Sequence, residues 1–354
     1  MTQRPDEAEE WSLRRLLTDV VGSGPKSAED MTRRQARAAL RRILDGDPDP
    51  TTLGAFWLAN RWKRNTPEEL AAFVDVMREE SVVVAEPNCD PVDCGANYDG
   101  KHTSALLGVA AGLVAAAAGT PVVVHSGDRV PTQEATAYKH VLDALDVRTD
   151  LGPAESADMV DAVGFGFYSQ PRFNPAVHAL VDRRREMGVR TFVNTIETLA
   201  NPANASVHLG SFYHLAFAER IVDTLRDLDA YALDRVLMFQ GLEGYDDVRP
   251  GSTVLAEWDG GDLDDDEIET AAFGMDFDRD ALAVDDVAAD SAAITEAVLA
   301  GERDDHFADA VALNAALRLY AAEDVHHLDD GIEVAREAIA DGSAADRLAA
   351  LRDF

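Results

Sequence analysis

The sequence predicts an α/β protein, with a helical N-terminal domain over residues 1–82 and a mainly parallel α/β domain over 83–354. Three observations predict it. The first 80 residues place apolar side chains at helical spacing between cap and breaker signals. From residue 90 onward short β-rich runs alternate with helical stretches, the pattern of a parallel sheet covered by helices. The 354 residues are 46% hydrophobic, enough for one large or two closely packed domains and too much for wholesale disorder.

Trp11 to Val21 carries Leu13, Leu16, Leu17 and Val20 on one helical face. Ser27 to Asp30 reads as a capping box opening a helix from Met31 to Leu44. Gly46, Pro48 and Pro50 break the chain before a third helix, Thr51 to Trp62. Thr66 and Pro67 open a fourth as N-cap and first helical residue. Strands are expected at 122–124, 162–167, 190–193 and 235–239. Helices are expected at 132–145, 175–187 and 212–228. An acidic loop from Asp262 to Glu267, a strand pair and two closing helices, 305–321 and 330–341, complete the chain.

The charge restricts function. Lys and Arg number 32 against 66 Asp and Glu, a net charge of −34. So acidic a surface repels phosphate backbones and argues against a general nucleic-acid binder. Scarce Lys and abundant Ala suit the cytosol of a halophile, where salt screens the self-repulsion; an ordinary acidic bacterial protein is the plainer alternative. Residues 1–64 are nearly neutral, with 12 basic and 10 acidic residues. Arg33, Arg34, Arg37, Arg41 and Arg42 sit there on one short helix, which reads as a helical face or as a subunit contact. Cys89 and Cys94 make neither a disulfide framework nor a zinc site. No signal peptide is read at the N-terminus. The apolar run from Leu106 to Val124 is broken by glycines and reads as a buried helix and strand, not a membrane span.

Four stretches carry chemistry. Gly95 and Gly100 let the loop before an Ala-rich helix turn tightly, so its amides and those of the helix start can hold a phosphate, with Asn97, Asp99, Lys101 and Thr103 adding polar groups. His125 ends the strand 122–124, where parallel sheets bind ligands; it reads equally as a structural histidine. Arg184 suits a two-pronged contact to a carboxylate, while the run Arg183 to Arg185 also reads as a solvated helix face. Asp246 and Asp247, on a turn after a strand, are hard oxygen ligands of the kind Mg²⁺ takes.

The order of Leu53-Gly-Ala-Phe56, Thr66 to Leu70, the glycine loop at 95–100, Val141 to Leu145, Gly188 to Asn194, Leu199 to Pro202 and Glu333 to Ile339 resembles the anthranilate phosphoribosyltransferase family, over about residues 11–350. The resemblance implies a nucleoside phosphorylase/phosphoribosyltransferase-like fold, with phosphoribosyl pyrophosphate and Mg²⁺ in a cleft between the domains. It further implies a small aromatic acceptor, a cytoplasmic homodimer formed through the N-terminal helices, and helices near 171–188 packed on the helical domain. By the same resemblance Arg184 falls on the substrate-carboxylate arginine, Asp246 and Asp247 on the metal pair, and His125 on the histidine of the family's Lys-His-Gly-Asn motif. The sequence assigns no catalytic acid or base. Several motif positions differ: Ala96, Asn97 and Tyr98 stand in a loop that is otherwise glycine-rich, Leu106 to Val109 replace an Asn-x-Ser-Thr motif, and Val124 replaces a lysine. The alternative function is a non-catalytic homologue acting as a ligand- or nucleic-acid-binding dimer; a nucleoside phosphorylase ranks lower.

Overall fold

The computed structural model describes residues 11–22, 24, 26–96 and 98–354; the expectation placed on Asn97 lies outside them. Helix Pro67–Glu80 forms as its sequence predicts. The Thr66 hydroxyl accepts from the Glu69 amide at 3.2 Å, and the Glu69 carboxylate reaches back to the Thr66 amide at 2.9 Å. Glu69 is buried, and Lys63 Nζ neutralises it at 2.6 Å. Its other oxygen accepts from the Met31 amide at 2.7 Å. That tertiary bond ties down the approach to the helix read from Met31 to Leu44. The helix therefore begins later than Ser27 to Asp30 suggested: it spans Arg33–Leu44, with Thr32 and Gln35 as the capping box. Helix Pro50–Lys63 is capped by Asp49. The first helix is α over Leu13–Leu16 and widens to a π turn over Leu17–Val21.

The arginines of helix Arg33–Leu44 find carboxylates within the chain. Arg37 reaches Glu79 at 2.6 Å, Arg41 reaches Glu79 at 2.9 Å and Glu80 at 3.1 Å, and Arg33 pairs with Asp75 and with Asp229. These pairs join helix Arg33–Leu44 to helix Pro67–Glu80 and to Asp229 of the α/β domain.

One seven-stranded sheet follows, with strands β1 (Val92–Cys94), β2 (Val122–Ser126), β3 (Phe165–Ser169), β4 (Val207–Phe212), β5 (Arg235–Gln240), β6 (Ser252–Trp258) and β7 (Asp264–Glu269). Their order is β3-β2-β1-β4-β5-β6-β7; β1 to β5 are parallel, and β6 and β7 antiparallel. Val122 to Val124 are buried on both faces, as a central parallel strand requires. The stretch read as an acidic loop is in large part β7. Its Asp264 to Glu267 are exposed, and charge on an edge strand blocks pairing with another sheet.

Two other expectations are corrected. Residues 190–193 form a turn into the short helix Val193–Ile196, because Asn194 Oδ1 accepts from the Thr191 amide and the Thr191 hydroxyl from the Val193 amide. The helix expected from 132 starts only at Tyr138, since Thr136 pairs its backbone with Lys101 instead. Helices Gln170–Phe173, Pro175–His178 and Val181–Met187 return against the helical domain. Asn174 there accepts from Ser81 Oγ at 2.6 Å, and Phe173, Val177 and Leu180 share an apolar cluster with Phe56, Trp57 and Phe73. Helices Val287–Leu299 and Ser343–Asp353, not read from the sequence, cover the far side of the sheet with His306–Ala321 and Leu328–Ala340.

Candidate functional site

Strand β1 lies between β2, which follows it, and β4, so the chain order reverses there. The β1–β2 connection covers one face and the β3–β4 connection the other, opening a crevice at the carboxyl ends of β1 and β4. A cleft of about 420 Å³ occupies that place. Gly95 follows β1, Ser211 and Phe212 end β4, and Glu243 and Gly244 follow β5. Arg61 of the helical domain, Arg190, Tyr213 and Phe217 close the other side. The cleft therefore joins two guanidinium groups to an aromatic wall. Arg61, Tyr213 and Phe217 carried no signal in the sequence, because no local motif announces a lining built from both domains.

Gly95 is demanded by contact. A Cβ there would lie 2.4 Å from His208 Cε1 and 2.4 Å from the Thr198 carbonyl oxygen. Gly100 takes φ +80°, and a Cβ there would lie 2.5 Å from the Thr136 carbonyl oxygen. Tyr98 turns inward from this loop: it is 1% exposed and its hydroxyl bonds His125 Nδ1. His125 Nε2 stands 3.2 Å from Asp93 Oδ1, and His208 Nδ1 2.9 Å from Asp93 Oδ2. Burial works to raise the Asp93 carboxyl, yet the two histidines hold it well below the usual carboxylate range. His125 is thus a buried member of a Tyr-His-Asp-His chain, and it is not among the residues lining the cleft.

The other sequence-selected residues divide between cleft and interior. Asp99 lines the cleft and pairs with Arg190 at 2.6 Å; burial raises its carboxyl, against the pull of Arg190. Arg184 is 1% exposed, with its two terminal nitrogens 2.8 and 2.7 Å from the two carboxylate oxygens of Glu197. Its fork faces an internal carboxylate. Asp246 and Asp247 are buried. Lys101 Nζ meets Asp247 Oδ2 at 2.5 Å, and the Leu107 amide meets it at 3.1 Å. Asp246 Oδ2 accepts from Tyr138 Oη and from Arg318 at 3.3 Å. Burial raises the Asp246 carboxyl above the usual range, against the pull of Arg318.

Glu243, which the sequence did not single out, ties the two loops together. Its carboxylate accepts from three successive amides, His102 at 2.9 Å, Thr103 at 3.2 Å and Ser104 at 2.8 Å. The Thr103 and Ser104 hydroxyls add bonds of 3.1 and 2.6 Å. Burial alone would raise this carboxyl; the donors outweigh it and bring it to about 2.

The residues present fit a divalent cation in one respect. Asp246 Oδ1 and Asp247 Oδ1 are buried without a hydrogen-bond partner. Among the described residues no group of three or more His, Cys, Asp or Glu gathers to hold a metal. Two carboxylates alone suit Mg²⁺, which keeps waters and takes substrate phosphates as ligands.

The comparisons agree with this architecture. Residues 17–81 match the helical bundle domain of a glycosyl transferase family, and residues 92–345 match that family's a/b domain. The chain thus belongs to this glycosyl transferase family. Within it, the relatives are anthranilate phosphoribosyltransferases. That of Leptothrix cholodnii is 34% identical over 315 residues, 88% of this chain and 89% of the relative. That of Symbiobacterium thermophilum is 32% identical over 344 residues, 97% of each. The Thermus thermophilus enzyme superposes with a TM-score of 0.81 at 26% identity, covering 98% of this chain and all of the other. The Saccharomyces cerevisiae enzyme, solved in complex with PRPP and Mg, shares the fold with a TM-score of 0.80 at 18% identity, over 97% of this chain and 98% of the other. This chain is accordingly a member of the anthranilate phosphoribosyltransferase family of enzymes.

Proposed function

We propose that the protein is a Mg²⁺-dependent phosphoribosyltransferase that moves phosphoribose from phosphoribosyl pyrophosphate to a small aromatic amine of the anthranilate class. The observation that carries the reading is the cleft at the sheet's switch point, which sets Arg61 and Arg190 beside Phe212, Tyr213 and Phe217. Guanidinium groups attract phosphate and carboxylate oxygens, and an aromatic wall receives a ring.

The transfer breaks the bond between the anomeric carbon and a diphosphate oxygen, forms a carbon–nitrogen bond to the acceptor amine, and releases diphosphate and the amine's proton to water. Positive charge develops on the ribose and negative charge on the departing diphosphate. The chain's part is alignment and charge. Gly95 keeps the backbone at the β1 end close to the cleft. Arg190, held by Asp99, and Arg61, which donates to the Arg190 carbonyl at 2.8 Å, fix a positive wall facing the ligand. Asp246 and Asp247 would hold Mg²⁺ through their unpartnered oxygens; bound there, it supplies positive charge against the leaving group. Arg184 acts from behind by fixing Glu197.

The same reading covers the setting. The protein works in the cytoplasm of a halophile as a homodimer through its N-terminal helices, where Trp62 is 72% exposed. No described helix is long and apolar enough to cross a membrane. The test is turnover of anthranilate, followed by its fluorescence, with phosphoribosyl pyrophosphate and Mg²⁺ in molar KCl. Turnover with an elevated KM in Arg61→Ala supports the reading. No turnover, with no calorimetric heat at millimolar phosphoribosyl pyrophosphate, ends it.

A further inference from the structure

Two loops meet beside the cleft with complementary charge. Residues 101–104 present a lysine followed by three amides and two hydroxyls. Residues 243–247 present Glu243 to the amides and Asp247 to the lysine. Three successive amides converging on one anion make the kind of concavity that holds a phosphoryl group. Here a side-chain carboxylate fills it. Glu243 reaches it from φ +57°, a left-handed conformation that a residue with a side chain seldom adopts, and it borders the cleft. His102 and Thr103 are exposed, so the cradle opens to solvent.

The second half of the contact has the opposite sign. Lys101 is buried and holds one oxygen of Asp247, while Asp247 Oδ1 and Asp246 Oδ1 are left without partners. An unpartnered buried carboxylate oxygen is costly. Lys101 thus neutralises Asp247 and Arg318 faces Asp246, and one oxygen of each carboxylate stays unused.

We propose that the loops 101–104 and 243–247 ligate each other as a stand-in for a metal–diphosphate group: Glu243 takes the place of the anion and Lys101 that of the cation. Binding of magnesium diphosphate, free or as part of a substrate, exchanges both contacts and lowers its own affinity by the cost of breaking them. The chemical class of the ligand rests on the proposed function; the self-ligation rests on the contacts above.

The probes are Mg²⁺ alone and inorganic diphosphate with Mg²⁺, titrated into the full chain by calorimetry in molar KCl. Glu243→Ala, which empties the cradle, is expected to bind magnesium diphosphate at least tenfold tighter than the wild type, with Glu243→Gln between them. Lys101→Met is expected to gain a rise in Tm with Mg²⁺ that the wild type lacks, and Asp247→Asn in the same chain abolishes the gain. Equal or weaker binding of magnesium diphosphate by Glu243→Ala overturns the proposal. That result decides the matter even if Lys101→Met fails to fold. If the wild type turns over phosphoribosyl pyrophosphate while Glu243→Ala binds no tighter, self-ligation is wrong and the function stands. If Glu243→Ala tightens while no acceptor is ever ribosylated, the function is wrong and the self-ligation stands.

Discussion

Arg184 and Glu197 form an ion pair enclosed near the cleft, with side-chain exposures of 1% and 0%. Removing one charge from such a pair leaves the other buried and unpaired. Glu197→Gln is therefore expected to cost about 3–5 kcal/mol in urea unfolding. Because the pair is shielded from solvent, the loss should persist in molar KCl; a loss that disappears with salt would mean the pair is solvated. Glu243 sets an acid limit. Its carboxyl is held near 2 in the folded chain, below the roughly 4.3 of an unfolded glutamate. The unfolded state thus binds the proton first, and the clamp's stabilisation, complete above about 4.5, is lost as pH falls toward 2. Glu243→Gln should lower stability at neutral pH and flatten the acid limb over that window; identical wild-type and variant profiles would refute it.

At the scale of elements, local rules predict some outcomes and contacts predict others. Thr66→Ala removes the cap of helix Pro67–Glu80 and should cost about 1 kcal/mol in chemical denaturation. Gly95→Ala drives a methyl into His208 and the Thr198 carbonyl. Overpacking of this kind costs about 1–3 kcal/mol; the shift of β1 against β4 should also lower affinity for phosphoribosyl pyrophosphate more than tenfold by calorimetry. Helix Pro67–Glu80 was legible because Thr66, Pro67 and Glu69 act on their own neighbours. β7 was not, because its Asp and Glu residues carry no apolar alternation and only pairing with β6 makes them a strand. Residues 132–137 misled in the opposite way: their helical pattern yields to the backbone pairing of Thr136 with Lys101.

Over the whole molecule the net charge of −34 governs how stability responds to salt. Raising KCl from 0.1 M to 1 M shortens the screening length from about 10 Å to about 3 Å. Repulsion among acids such as those of β7 then falls, so Tm should rise by calorimetric scanning across that range. A flat or falling Tm would remove the halophilic reading. The arginines at 33, 37 and 41 show why a charge count cannot assign partners. They look available in the sequence and are committed to Asp75, Glu79, Glu80 and Asp229 in the fold.

The division between sequence and tertiary structure follows the range of the forces involved. The cap of helix Pro67–Glu80, the buried valines of β2, the tight turn at Gly100 and the ordered motifs that place the chain in its family act over a few residues, and the sequence alone determined them. What Lys101, Arg184, Glu243, Asp246 and Asp247 touch was decided only by the tertiary structure. Apart from the Ala105 carbonyl that Lys101 also reaches, their partners lie 13 to 146 residues away in the chain. A buried charge takes whichever opposite charge the packed fold brings within reach, and no local pattern records which one that is.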